Sequence, residues 1–142
     1  MLTLAEAAPV SAIIQNLRPF FVIKTHYNEI SAQQICDESR QHGYFKITYQ
    51  RVTDRLRISK AKPGDMVLVC HSLPIRYQGG ACITEVTQVI DSQILHIKFV
   101  RFLHRKVDMQ ELYTVEKSLK SSSRVFIVSE QTFYQLLALE NE

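Results

Sequence analysis

The chain has 142 residues, 46% of them hydrophobic, and a net charge of +3, which fits one domain and is too short for two ordinary ones. Its apolar content, with seven Phe and six Tyr, offsets chain entropy without disulfides or a structural metal, which sets aside disorder over most of the length. No stretch approaches the roughly 20 apolar residues of a membrane span and no basic leader precedes an apolar run, and the three widely spaced cysteines Cys36, Cys70 and Cys82 fit reduced thiols in a cytoplasmic compartment.

Residues 1–18 are read as an N-terminal arm or short helix, with Val10, Ile13, Ile14 and Leu17 at helical spacing after Pro9. Residues 19–142 are read as the single domain. From Pro19 the continuous run Phe20, Phe21, Val22, Ile23 predicts a strand buried on both faces. A turn at His26, Tyr27 and Asn28 leads to Ser31-Ala-Gln-Gln34, which has capping-box spacing. A helix over 31–41 is expected, with Ile30, Ala32, Ile35, Cys36 and Ser39 inward and Gly43 as a left-handed cap. The cysteines are expected to be packing residues, Cys36 partly exposed on its helix face.

The segment 44–60 supports two patterns. Lys46 to Val52 alternates like a strand, whereas Ile47, Arg51, Arg55 and Ile58 keep helical spacing. Lys62-Pro63-Gly64-Asp65 is a turn, and a strand over 66–71 follows it. Residues 74–80 form a loop whose Gly79-Gly80 pair lets the backbone turn or approach another chain closely. A return strand over 81–90 with a bulge, a turn at Asp91-Ser92 and a strand over 93–103 complete a meander. A weak helix over 109–119, the polar run Ser121 to Ser123, a strand over 124–128 and a helix capped by Ser129, with Phe133, Leu136 and Leu137 inward, close the chain. The pattern predicts an α+β fold: a closed or nearly closed β-pseudo-barrel of about five to six mostly antiparallel strands with two or three flanking helices.

Charge is concentrated in one place. Between Arg40 and Lys62 lie seven cations against the single acid Asp54, a local net of +6. Tyr44, Phe45 and Tyr49 are interleaved among these cations, an arrangement suited to phosphate neutralisation with base stacking.

Four motifs in order resemble the EVE branch of the PUA-like domains, a group that also includes the ASCH and YTH families. Phe20-Phe21-Val22-Ile23-Lys24-Thr25 is similar to its opening strand, and Lys62-Pro63-Gly64-Asp65 through His71-Ser72 to its Gly-Asp turn and strand. Gly79-Gly80-Ala81-Cys82-Ile83-Thr84-Glu85-Val86 is similar to its small-residue strand, and Arg124 to Ser129 with the following helix to its closing elements. The chain departs from the family in three places. His26 and Tyr27 stand where an acidic residue and proline are usual, the basic segment lacks the family's Asn, and there is no Trp with which to build the cage of the YTH relatives. The resemblance implies a PUA-like fold and recognition of DNA or RNA, with a modified base held in a pocket beside the first strand and the Gly-Asp strand.

On this basis Lys46, Arg51, Arg55, Arg57 and Lys60 are candidate contacts to a nucleic-acid backbone. Lys24, Thr25, His26, Tyr27, Tyr49, His71, Ser72, Arg76 and Tyr77 are candidate base-pocket residues. No metal or cofactor is expected, since Cys70 and His71 are adjacent on a strand and point to opposite faces and no paired metal-ligand spacing occurs. A binding module is favoured over an enzyme, because no nucleophile elbow, phosphate-binding glycine loop or dinucleotide fingerprint is present. Two alternatives stand beside it: a metal-independent ribonuclease of ASCH type using His71, Lys24 and Arg76, and a homodimer or protein-interaction module acting through the N-terminal arm. No membrane partner is expected.

Overall fold

The computed structural model describes residues 19–142; the N-terminal arm lies outside the described residues. Six strands form one mixed sheet. They are β1 (Phe20–His26), β2 (Phe45–Thr48), β3 (Met66–Leu73), β4 (Gly79–Ile90), β5 (Ile94–Val107) and β6 (Val125–Val128), in the order β2-β5-β4-β3-β1-β6. Four α-helices flank them: α1 (Ala32–His42), α2 (Val52–Ile58), α3 (Met109–Val115) and α4 (Glu130–Ala138). Strands β3, β4 and β5 make the expected antiparallel meander. Among the described residues one strand pair is parallel, β1 with β3, which have α1, β2 and α2 between them in sequence.

The apolar run at the start of β1 has a physical reason. Phe21 and Ile23 point into one core with Val67, Val69 and Ile35 of α1. Val22 points into a second core with Leu68, Cys70, Leu112 of α3 and Phe133 and Leu136 of α4. The sheet is thus covered on both faces, and its central strands cannot alternate apolar with polar. All three cysteines are buried, and the expected partial exposure of Cys36 is corrected: it is 1% exposed, on the buried face of α1. Burial pushes the thiols of Cys70 and Cys82 up to about 12, so both stay protonated.

Local signals set the element ends. The Ser31 hydroxyl accepts from the Gln34 amide, and Gly43 ends α1 with φ +87°. The Gln34 amide side chain turns to Glu38 instead of back to Ser31, so the reciprocal half of a capping box is missing. Asp91 and Ser92 both take left-handed backbone (φ 54° and 51°), and the Gln93 amide donates to the Ile90 carbonyl at 3.0 Å, closing the tight turn between β4 and β5. The ambiguous segment holds both patterns in series: β2 pairs antiparallel with β5, and α2 follows after three residues. The space left by Gly79 is filled by backbone, since a Cβ there would overlap the carbonyl oxygen of Val107.

Helix α2 joins the two ends of the sheet. It follows β2 on one edge and packs against β6 on the other. Asp54, 1% exposed, accepts the amides of Arg124 and Val125 on Oδ1 at 3.0 and 3.1 Å, and Arg57 Nη1 donates to the Val125 carbonyl at 2.7 Å. Side chains of α2 therefore substitute for a further strand at the edge of β6, and the curled sheet is closed by a helix.

Candidate nucleic-acid interface

The ends of β1 and β3 open onto a cavity of about 260 Å³ lined by Lys24, His26, Glu29, Ser72, Leu73 and residues 122–124. Lys24 reaches it from β1 and donates to the carbonyls of Leu119 and Ser121 at 3.0 and 2.6 Å. That pins the loop carrying Ser122 to Arg124. Partial burial lowers the Lys24 pKa, opposed by the neighbouring Cys70 and Asp54. The His26 ring accepts the Asn28 amide, and Ser72 contacts the Thr25 carbonyl. Lys24, His26 and Ser72 thus share one cavity with Arg124, a residue sequence reasoning passed over. Its only sequence signal is a lone cation after three serines.

Thr25 and His71 are built into the fold. Thr25 is 5% exposed and donates to the Ile30 carbonyl. His71 is 6% exposed and its Nε2 accepts the Ala32 amide at 3.1 Å, satisfying the first turn of α1. Burial lowers the His71 pKa, offset by a hydrogen bond to the Tyr77 backbone and reinforced by Lys106, so the ring is neutral near pH 7 and positions the helix.

Tyr77 lies elsewhere from Lys24 and Ser72, contrary to the expected single pocket. It lines a separate groove of about 270 Å³ with Tyr27, His71, Phe102 and Lys106. Its ring stacks on Tyr27 at 3.9 Å between centroids, and the Arg76 guanidinium lies 5.0 Å from its centroid. A third ring edge comes from His71, 5.1 Å from Tyr27. The proposed ribonuclease trio is not assembled either: Lys24 lines the first cavity, His71 the second, and the Ala32 amide already occupies His71 Nε2.

The arginines of the basic segment bond neutral partners. Arg51 Nη1 donates to the Ser122 carbonyl at 2.7 Å, Arg55 Nε to the Ser92 carbonyl at 3.4 Å, and Arg57 to that of Val125. A cation held by a carbonyl dipole keeps its net charge, so the field of this face persists. Arg101 and Arg105 differ: they are paired with Glu140 and Glu111, both at 2.7 Å. Lys60 is exposed beyond α2, and Lys46 is exposed on β2 opposite His96. Arg57 is half-buried between β6 and the Phe126 ring, 5.7 Å from its centroid, which makes it a closure residue.

Tyr49 is 3% exposed and lines a third cavity, of about 180 Å³, with Thr48, Gln50, Arg51, Asp54 and Arg124. Arg124 thus borders two cavities, and Arg51, which borders the third, bonds Ser122 of the first. Among the described residues no helix is long and apolar enough to cross a membrane.

No family model matches the chain, and no curated protein matches it. Solved structures do. Rpa0253 from Rhodopseudomonas palustris is similar over 87% of this chain and 93% of its own, with a TM-score of 0.72 and 13% identity. Human THYN1, solved in complex with DNA containing 5-methylcytosine, is similar over 87% of this chain and 98% of its own, with a TM-score of 0.70 and 12% identity. A protein from Pseudomonas syringae is similar over 85% and 99%, with a TM-score of 0.70 and 18% identity. These likenesses show a shared fold, an α+β pseudo-barrel built on one curled mixed sheet.

Proposed function

We propose that this chain is a nucleic-acid-binding module of EVE type. The sugar-phosphate backbone passes over α2 and the 121–124 loop, and one nucleotide enters the paired cavities that border Arg124. The observation that carries this is the 2.7 Å bond from Arg51 to the Ser122 carbonyl. It joins the cationic helix to the loop that walls the Lys24, His26 and Ser72 cavity, so phosphate neutralisation and base recognition fall on one continuous surface. Arg51, Arg55, Lys60 and Arg124 supply the charge, while Lys24 holds the loop and presents its remaining N–H to the cavity. The fold shared with THYN1, a protein solved with 5-methylcytosine DNA, agrees with a base, modified or not, as the ligand.

The test is fluorescence anisotropy with short single- and double-stranded DNA and RNA, plain and base-methylated, at low and moderate salt. Binding that weakens with salt and favours one probe class is expected. Absence of binding to every probe at low salt sinks the proposal.

A further inference from the structure

Two residues that line the third cavity each carry a buried polar atom that the fold leaves unused. Asp54 spends Oδ1 on the amides of Arg124 and Val125, while its Oδ2 is buried without a hydrogen-bond partner among the described residues, as is the Tyr49 hydroxyl. Both residues line the same cavity, which Arg51 and Arg124 border. Burial and the neighbouring Asp54 raise the Tyr49 pKa, so the phenol keeps its proton and can donate. Buried unpartnered polar groups are costly and rare, and a pair of them in one small cavity calls for an explanation outside the folded chain itself.

Resting on the nucleic-acid reading above, we propose that this cavity reads the edge of a pyrimidine bearing an exocyclic amino group beside a ring-nitrogen acceptor, as in cytosine. Asp54 Oδ2, an acceptor only, takes an amino N–H, and the Tyr49 hydroxyl donates to the adjacent ring nitrogen. Uracil and thymine present the opposite pattern: a carbonyl would face the carboxylate, and a ring N–H would face the phenol proton. The cavity, at about 180 Å³, is smaller than the roughly 300 Å³ at which sites for drug-sized ligands begin, which suits a single ring. Arg51 and Arg124 at its border supply positive charge for the attached phosphate.

Asp54→Asn separates this idea from its alternatives. The Arg124 and Val125 amides require an acceptor, which fixes the carboxamide oxygen on them and places the NH₂ where Oδ2 was. Short single-stranded oligonucleotides identical except for one central cytosine or uracil are titrated at constant salt. The wild-type protein is expected to favour cytosine by roughly tenfold, Asp54→Asn to lose or reverse that preference, and Tyr49→Phe to reduce it severalfold. Unperturbed Arg124 and Val125 amide shifts confirm that Asp54→Asn folds. Equal wild-type affinity for the two probes, as expected if the cavity holds only water, overturns the proposal while leaving the nucleic-acid reading intact. A preference that survives Asp54→Asn overturns it too. Absence of binding to either probe overturns both.

Discussion

Asp54 accepts the main-chain amide of Val125 at 3.1 Å across 71 positions of sequence, and Arg57, one helical turn further along α2, donates to the carbonyl of the same residue at 2.7 Å. One residue of the edge strand β6 thus has both its backbone groups satisfied by side chains of a helix that follows the opposite edge of the sheet. Asp54→Ala should leave two amides without their acceptor, one of them buried, and cost about 3 kcal/mol. Arg57→Ala should cost about 1–2 kcal/mol. Arg55→Ala, whose bond to Ser92 is long and exposed, should stay within about 0.5 kcal/mol. Urea denaturation followed by circular dichroism measures all three; equal effects from Arg55 and Arg57 would contradict the assignment of Arg57 to closure.

The unused phenol gives a prediction of opposite sign. Tyr49 is 3% exposed and its hydroxyl has no hydrogen-bond partner among the described residues, so Tyr49→Phe removes a desolvation cost while the ring keeps its packing. The variant should be as stable as the parent or more so, by up to about 1 kcal/mol. A thermal melt that falls by several degrees would mean the hydroxyl is already satisfied in the free protein.

How much of this was legible in the sequence depended on range. The Ser31 cap, the Gly43 stop, the Asp91-Ser92 turn and the final helix are local, decided by residues a few positions apart, and the structure has each of them. The parallel pairing of β1 with β3 is decided by two cores far apart in sequence, and no local pattern encodes it. The 44–60 segment resisted assignment because β2 has four residues and α2 seven, too short for either period to dominate. Asp54 was legible only as the lone acid among seven cations; its oxygens matter because of where β6 returns. The close backbone approach that the Gly79-Gly80 pair allows was legible, and Val107 of β5 makes it at Gly79; that Tyr77 lines a groove apart from Lys24 and Ser72 was not.

Acid should loosen the start of α1. Burial holds the His71 pKa below the ordinary value of 6.5, so its neutral form belongs to the folded state. The stability it contributes is complete above about pH 6.5 and is lost as pH falls through the lower folded value. Protonation also removes the acceptor for the Ala32 amide. Hydrogen exchange at Ala32 should accelerate between neutral pH and about pH 5, beyond the intrinsic trend; unchanged protection would contradict the role given to the ring.

A second acid transition belongs to Glu140. Arg101 beside its carboxyl, together with the His104 amide, holds it down to about 2 from 4.5, so its contribution is present above about pH 4.5 and lost as pH falls towards 2. Because Arg101 is partly exposed, the net effect is on the order of 2 kcal/mol. Glu140→Gln should lower stability at pH 7 and flatten the pH dependence below about 4.5, as read by urea midpoints across pH.

The central claim is that Arg51, which caps the start of α2, and Arg55 within it carry nucleic-acid affinity. Its most direct test is the salt dependence of oligonucleotide binding for the parent and for Arg51→Ala combined with Arg55→Ala. The account predicts weaker binding to every probe and a log-log salt slope shallower by about two, one for each lost phosphate contact. An unchanged affinity and slope would show that this face is only solvated and would contradict the proposed function.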